Sequence, residues 1–134
     1  MTSIFDEKIK AQNSVDKTHE ILERAMNVGF KWNSMDGVFE KIYEELDEVK
    51  EAIAVGNADD VRSEVGDLLF AVIKLAAYSG FKANDALEMC NDKFLERFMF
   101  MEKYMAKNFE GDLNDRSVEE MMQGWNKAKD INNL

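Results

Sequence analysis

The chain contains no proline among its 134 residues and only seven glycines. Proline breaks a helix and glycine weakens its interior, so a chain almost free of both is suited to long helices. No stretch alternates apolar and polar residues for long enough to indicate a strand. The sequence therefore predicts an all-α protein.

Apolar residues recur at helical spacing in five segments, and most glycines fall where a helix would stop. Short connections favour antiparallel packing of the second and third helices, so we expect an antiparallel bundle. The five helices are predicted from near Ser14, from about Ser34 to Val55, from about Asp59 to Ser79, from Asn84 past Met105, and from a Ser117–Glu120 capping box to near Asp130, with stops at Gly29, Gly56, Gly80 and Gly111.

The length predicts one domain over residues 1–134, with a core from about 14 to 130. The 27 acidic and 17 basic residues give a net charge of −10, which argues against binding to nucleic acid or an anionic membrane. No apolar run is long enough to cross a bilayer. The single cysteine, Cys90, predicts a reducing, cytoplasmic setting and suggests a buried, inert thiol.

Acidic residues on the predicted second and third helices lie where apolar residues are expected. Glu45 falls between Ile42 and Val49, inside the apolar sector, and Glu64 falls on the side of Leu68. Each helix carries two acids three positions apart, which makes them neighbours on its surface. If the helices pack antiparallel, one small volume receives four carboxylates, Glu45, Glu48, Glu64 and Asp67.

Four crowded carboxylates repel one another, so this arrangement predicts a bound cation. Oxygen ligands without a nearby histidine or cysteine favour Mg²⁺, with Mn²⁺ as the alternative. A di-iron site needs paired Glu-x-x-His motifs, which a chain with one histidine does not supply. Taken singly, each acid reads as part of a solvated surface that pairs with lysines such as Lys41. The two pairs together carry the metal hypothesis.

The fourth helix is apolar over a wide arc, because Phe100 and Tyr104 lie to one side of its main apolar stripe. Such a helix needs cover on more than one side. A second subunit is the simplest cover, and a central position within one bundle is the alternative. The stripe consists of Phe94, Phe98, Met101 and Met105.

Three groups of residues resemble the MazG nucleoside triphosphate pyrophosphohydrolases, members of the all-α NTP pyrophosphatase superfamily. Glu44-Glu45-Leu46-Asp47-Glu48, followed by Glu64-Val65-Gly66-Asp67, looks like the superfamily signature of paired acids. Gly29-Phe30-Lys31-Trp32 resembles the segment before the acid helix. The remaining similarity comprises Asn91, Lys93, Phe94, Arg97 and Phe98, with Trp125 and Lys129 further on.

This resemblance implies a single-domain enzyme that assembles as a homodimer or a dimer of dimers. It implies that Glu45, Glu48, Glu64 and Asp67 bind Mg²⁺. It further implies that Asn91, Lys93, Arg97 and Lys129 bind the substrate and that Trp125 helps to close the site. The expected reaction is water attack at the α-phosphorus of an NTP or dNTP, releasing the monophosphate and pyrophosphate, with Glu45 or Glu48 orienting or deprotonating the water.

Three alternatives remain open from the sequence. The first is a related activity of the superfamily, on dUTP or phosphoribosyl-ATP. The second is a non-catalytic acidic helical module that binds a partner or senses a nucleotide. A calcium buffer is the third, although the chain lacks the 12-residue loop of an EF-hand.

Overall fold

The structure is a computed structural model that describes residues 2–132. These residues contain five α-helices and no strand, which confirms the all-α prediction. None of the helices in this part of the chain is both long and apolar enough to cross a membrane. The helices are α1 (Ser14–Asn27), α2 (Met35–Val55), α3 (Ala58–Ser79), α4 (Ala83–Asn108) and α5 (Val118–Asn132).

The predicted helix ends are confirmed by left-handed glycines and by caps. Gly29, Gly56, Gly80 and Gly111 all have positive φ, a conformation that other residues adopt only with strain. The Ser117 hydroxyl accepts from the Glu120 N–H at 3.1 Å, and the Glu120 carboxylate accepts from the Ser117 N–H at 3.0 Å. This reciprocal pair is the predicted capping box.

Two details differ from the sequence predictions. The segment between α4 and α5, where the sequence analysis places no helix, includes a short 3₁₀ helix, Leu113–Asp115, which Asp112 and Asp115 cap reciprocally. Cys90, predicted to be buried, is exposed. Helical periodicity shows which residues share a face of α4 with Cys90. It does not show whether another element packs over that face.

The chain divides into two compact units, Met1–Ala86 and Leu87–Leu134. In the first unit α3 packs against both α1 and α2. The connection between α2 and α3 is only Gly56–Asn57, and Gly56, with φ +87°, reverses the chain at once. The two helices therefore fold back on each other, as predicted. The fully or almost fully buried residues here include Leu22, Val38, Val49, Ala52, Ala71 and Ala76.

The second unit contains most of α4 together with α5. Its buried apolar residues are Met101 and Met105 of α4 and Ala128 of α5. The Phe94 ring on α4 lies 5.2 Å from the Trp125 ring on α5 in a tilted arrangement, a favourable geometry for an aromatic pair. Part of the predicted α4 stripe is thus buried within this unit, while Phe94 stays exposed.

Candidate metal centre

Glu45 is a carboxylate in the apolar face of α2, as the sequence predicts. It is only 5% exposed and lies one turn from the buried Val49. The Lys41 ammonium, one turn earlier, lies 2.9 Å from Glu45 Oε1. This hydrogen bond holds the pKa of Glu45 below its ordinary value, against the opposing effect of burial. Glu45 is therefore a charged carboxylate in a largely dry position.

The α2–α3 reversal brings the second acid pair to the first. Glu48 and Glu64 are half-buried, and Asp67 is exposed. One carboxylate oxygen from each of the four acids can be chosen so that all four lie within 4.8 Å of one another. The structure thus brings together all four residues that the sequence analysis predicted to converge.

The four carboxylates are poorly satisfied by the protein itself. Glu45 Oε2 and Glu64 Oε2 are buried and have no hydrogen-bond partner. Hydrogen bonding to Glu45 and to Glu64, together with their negative charge, raises the pKa of Glu48 to about 7. Buried oxygens without donors and a carboxyl that resists ionisation both indicate missing positive charge.

A hard divalent cation fits this group of residues. All four donors are carboxylates, and the cluster includes neither cysteine nor histidine. The one histidine, His19, is engaged elsewhere in the unit, where its Nε2 accepts a hydrogen bond from the Ala83 N–H at 2.8 Å. Oxygen-only sites favour magnesium, calcium or manganese over zinc or copper. The buried, unpartnered oxygens are the atoms that such an ion would satisfy.

Lys41 is part of the cluster's surroundings, although the sequence predicts only a surface lysine that pairs with nearby acids. It does approach the exposed Glu44 at 3.8 Å. Its shorter contact, however, is with the buried Glu45. The four-residue spacing from Lys41 to Glu45 was a signal for this pair, since such residues are neighbours on a helix.

The residues predicted to bind the triphosphate lie in the second unit. Lys93 and Arg97 are four residues apart on α4, which puts them on one side of the helix. Arg97 is half-buried, and its Nε is buried without a partner. On α5, Trp125 is half-buried against Phe94, and the exposed residues of the set are Asn91, Lys93 and Lys129.

The helices and the carboxylate cluster define an all-α protein with a candidate divalent-cation site on a helical hairpin. Residues 34–99 match the family model described as the MazG nucleotide pyrophosphohydrolase domain. That range includes all four acids, Asn91, Lys93 and Arg97, and it ends before Trp125 and Lys129.

The chain is also similar to three bacterial proteins. It is 35% identical to the nucleoside triphosphate pyrophosphohydrolase of Escherichia coli K12 over 130 residues, which cover 95% of this chain and 49% of that protein. It is 36% identical over 116 residues to the nucleoside triphosphate pyrophosphohydrolase/pyrophosphatase MazG of Thermotoga maritima, covering 87% of this chain and 44% of that protein. The uncharacterized protein YabN of Bacillus subtilis is 39% identical over 71 residues, 53% of this chain and 14% of YabN.

The chain thus contains a MazG nucleotide pyrophosphohydrolase domain over residues 34–99. It spans about half the length of the Escherichia coli and Thermotoga maritima relatives.

Proposed function

We propose that this chain is a Mg²⁺-dependent nucleoside triphosphate pyrophosphohydrolase that converts an NTP or dNTP to its monophosphate and pyrophosphate. One observation supports the proposal above others: four carboxylates converge on one hairpin, and two of their buried oxygens have no partner. The names of the Escherichia coli and Thermotoga maritima relatives support the same activity.

In this proposal Glu45, Glu48, Glu64 and Asp67 hold the cation, which is Mg²⁺ with Mn²⁺ as a substitute. When bound, such an ion neutralises phosphate charge and polarises the phosphoryl group under attack. Lys41 holds Glu45 Oε1 and so fixes the orientation of that carboxylate. An oxygen of Glu45 or Glu48 orients the attacking water and takes its proton. The new bond forms at the α-phosphorus, and the bond to the bridging oxygen breaks, so that pyrophosphate leaves.

The family resemblance assigns a second set of residues to the substrate, and we retain that assignment as a proposal. Lys93, Arg97 and Lys129 would bind the triphosphate, Asn91 would add a polar contact, and Trp125 would help to close the site. A buried guanidinium N–H without a partner, as at Arg97, is suited to an incoming phosphate oxygen.

A nucleotide panel tests this function directly. The purified chain is incubated with each NTP and dNTP, dUTP and phosphoribosyl-ATP in Mg²⁺, and monophosphate and pyrophosphate are both quantified. We expect equal amounts of the two products and no activity in chelator. Orthophosphate as the product would contradict attack at the α-phosphorus. Exclusive use of dUTP or of phosphoribosyl-ATP would instead assign the corresponding related activity. The same assays are run in parallel with Ca²⁺ in place of Mg²⁺.

Paired variants separate catalysis from a non-catalytic nucleotide-sensing role. Glu48→Gln should reduce turnover by about a hundredfold or more, because even residues that only support metal ligands are worth 10–100-fold. Glu51→Gln is the matched control, since Glu51 is an exposed acid one turn further along α2 and outside the cluster. Unchanged turnover in the Glu48 variant would favour the non-catalytic module.

We further propose that the chain acts as a homodimer or a dimer of dimers. Both long helices of the first unit expose apolar stripes at helical spacing, which a monomer would leave in water. On α3 the stripe is Val65, Leu69 and Val72, and on α2 it is Phe39, Tyr43, Leu46 and Ile53. The single-domain organisation and the cytoplasmic setting stay predictions.

A further inference from the structure

Trp32 is a half-exposed indole held in a fixed position between α1 and α2. The residue is 50% exposed. Its backbone N–H donates a hydrogen bond of 2.7 Å to the Tyr78 hydroxyl on α3. The segment that carries the ring is therefore attached to the same helix that supplies Glu64 and Asp67.

One face of the indole is packed against Gly37 in the first turns of α2. A Cβ placed on Gly37 would lie 2.7 Å from Trp32 Cδ2, 2.9 Å from Cε3 and 3.0 Å from Cγ. These three atoms are bonded in a row, and nearly equal distances to all three mean that Gly37 lies over the flat face of the ring. The absence of a side chain at position 37 lets the ring lie directly on the helix. Since this face is covered and the residue is still 50% exposed, the opposite face is the one available to a ligand.

Helix geometry places this ring in line with the carboxylate cluster. At about 100° per residue, Gly37, Lys41, Glu45 and Glu48 fall within an arc of about 80° on α2. From Gly37 to Glu48 the helix rises about 16 Å, and from Gly37 to Glu45 about 12 Å. A single face of α2 thus presents an aromatic platform, then an ammonium group and then the acids of the candidate metal centre.

We propose that Trp32 is the platform on which the nucleobase of the substrate stacks. This inference rests on the proposed function and adds the base subsite to it. A ring with one face backed by a helix and the other open offers stacking that every base can use, because every base has a π-face. Lys41 lies between the platform and the acids, on the side where the sugar and phosphates of a stacked nucleotide would pass. The subsite therefore recognises nucleotides as a class and distinguishes them from polyphosphates without a base.

Binding measurements test the platform separately from catalysis. Affinities are measured by calorimetry in Mg²⁺ for α,β-methylene-ATP, whose scissile bond is blocked, and for inorganic tripolyphosphate. Trp32→Ala should weaken binding of the nucleotide analogue about tenfold and leave tripolyphosphate binding unchanged. Trp32→Phe should retain most of the affinity. Gly37→Ala, which displaces the ring, should shift affinity in the direction of Trp32→Ala.

Phe30→Ala is the matched control, because Phe30 is an aromatic residue in the same segment that is 79% exposed, and the atoms nearest to a Cβ on Gly37 belong to Trp32 and not to Phe30. It should bind both ligands as the unmodified chain does. Circular dichroism and light scattering on each variant report its fold and its mass.

The outcomes distinguish the inference from the function on which it rests. If the unmodified chain hydrolyses NTPs and Trp32→Ala binds the analogue with unchanged affinity, the platform is wrong and the function stands. Equal loss of both ligands, or dissociation of an oligomer, would make Trp32 a packing or subunit-contact residue and would also overturn the platform. If the unmodified chain neither binds nor hydrolyses any nucleotide, the proposed function itself fails.

Discussion

Lys41 supplies the positive charge nearest to the most deeply buried acid of the cluster. Its ammonium group lies 2.9 Å from Glu45 Oε1, and the lysine side chain is 40% exposed. Burial opposes the charged form of Lys41, but the hydrogen bond to Glu45 outweighs that effect. The pair lowers the pKa of Glu45 and raises that of Lys41. Folding therefore gains stability from a charged Glu45, and this gain disappears on acidification.

Replacing Lys41 tests this pair. In chelator at pH 7, Lys41→Met should lower the melting temperature, because burial of Glu45 is then uncompensated. The native pKa of Glu45 is depressed, so its stabilising contribution is present above the ordinary value of 4.5 and is lost as the pH falls through the lowered native value. The difference between the two proteins should accordingly shrink toward acid pH. Lys50→Met, an exposed lysine on the same helix, is the control, and an equal effect there would contradict the pair.

The four acids were predictable because the spacing of residues along a helix determines which of its faces each residue occupies. Glu45 stood out as a charge among apolar neighbours, and the spacing of Glu64 and Asp67 repeated that of the first pair. The role of Trp32 was not predictable in the same way. Its contacts with Gly37 and Tyr78 depend on how the segment before α2 turns back, and no periodic pattern encodes such a turn.

The start of α4 is capped by a side chain from α1. His19 is 5% exposed, and its Nε2 accepts a hydrogen bond from the Ala83 N–H, one of the donors that the first turn of a helix leaves unpaired. Only a neutral imidazole can accept in this way. Burial lowers the pKa of His19, and nearby Lys82 lowers it further, against the weaker opposite effects of Asp16 and Glu23.

This cap predicts a pH dependence of stability. The native pKa of His19 lies below 6.5, so its stabilising contribution is present above pH 6.5 and is lost as the pH falls toward the native pKa. His19→Leu should reduce the free energy of unfolding by about 1 kcal/mol at pH 7.5, because the Ala83 N–H loses its acceptor. The difference between the proteins, measured by urea denaturation, should shrink between pH 7.5 and pH 5. A constant difference would mean that His19 acts through packing alone.

Helix boundaries were largely predictable, because caps and glycine stops are local signals. The Ser117–Glu120 capping box and the four left-handed glycines can each be recognised from a few neighbouring residues. The exposure of Cys90 was not, since burial of one face of α4 depends on elements far away in the sequence. The Leu113–Asp115 turn was missed because reciprocal Asp capping is a weaker signal than helical periodicity.

At the scale of the whole molecule, the described residues expose many large apolar side chains, some of which form stripes along a helix. Leu69 is 58% exposed and Val72 45%, on the α3 stripe. Aliphatic side chains in a continuous stripe, not scattered singly, mark an interaction surface. A second copy of the chain would remove this area from water and lower the free energy of the assembly.

Charge placed on the stripe should therefore break the proposed assembly. We expect Leu69→Lys to reduce the mass measured by light scattering to that of a smaller species. Val118→Lys provides the control, because Val118 is a 70% exposed apolar residue at the start of α5, outside the stripe. An unmodified chain that is already monomeric would contradict the oligomer, and an unchanged mass in the Leu69 variant would exclude the α3 stripe as its contact.

The two-residue reversal at Gly56–Asn57 has a consequence for how this group of four acids is inherited. All four acids lie within residues 45–67. They meet because the chain reverses its direction inside that stretch. Duplication or recombination can therefore carry the whole set in a single exchange. A one-residue insertion within either helix between an acid and the reversal would rotate that acid by about 100° and separate the pairs. Insertions and deletions within residues 45–67 should accordingly be far rarer than substitutions on the outer faces of the two helices.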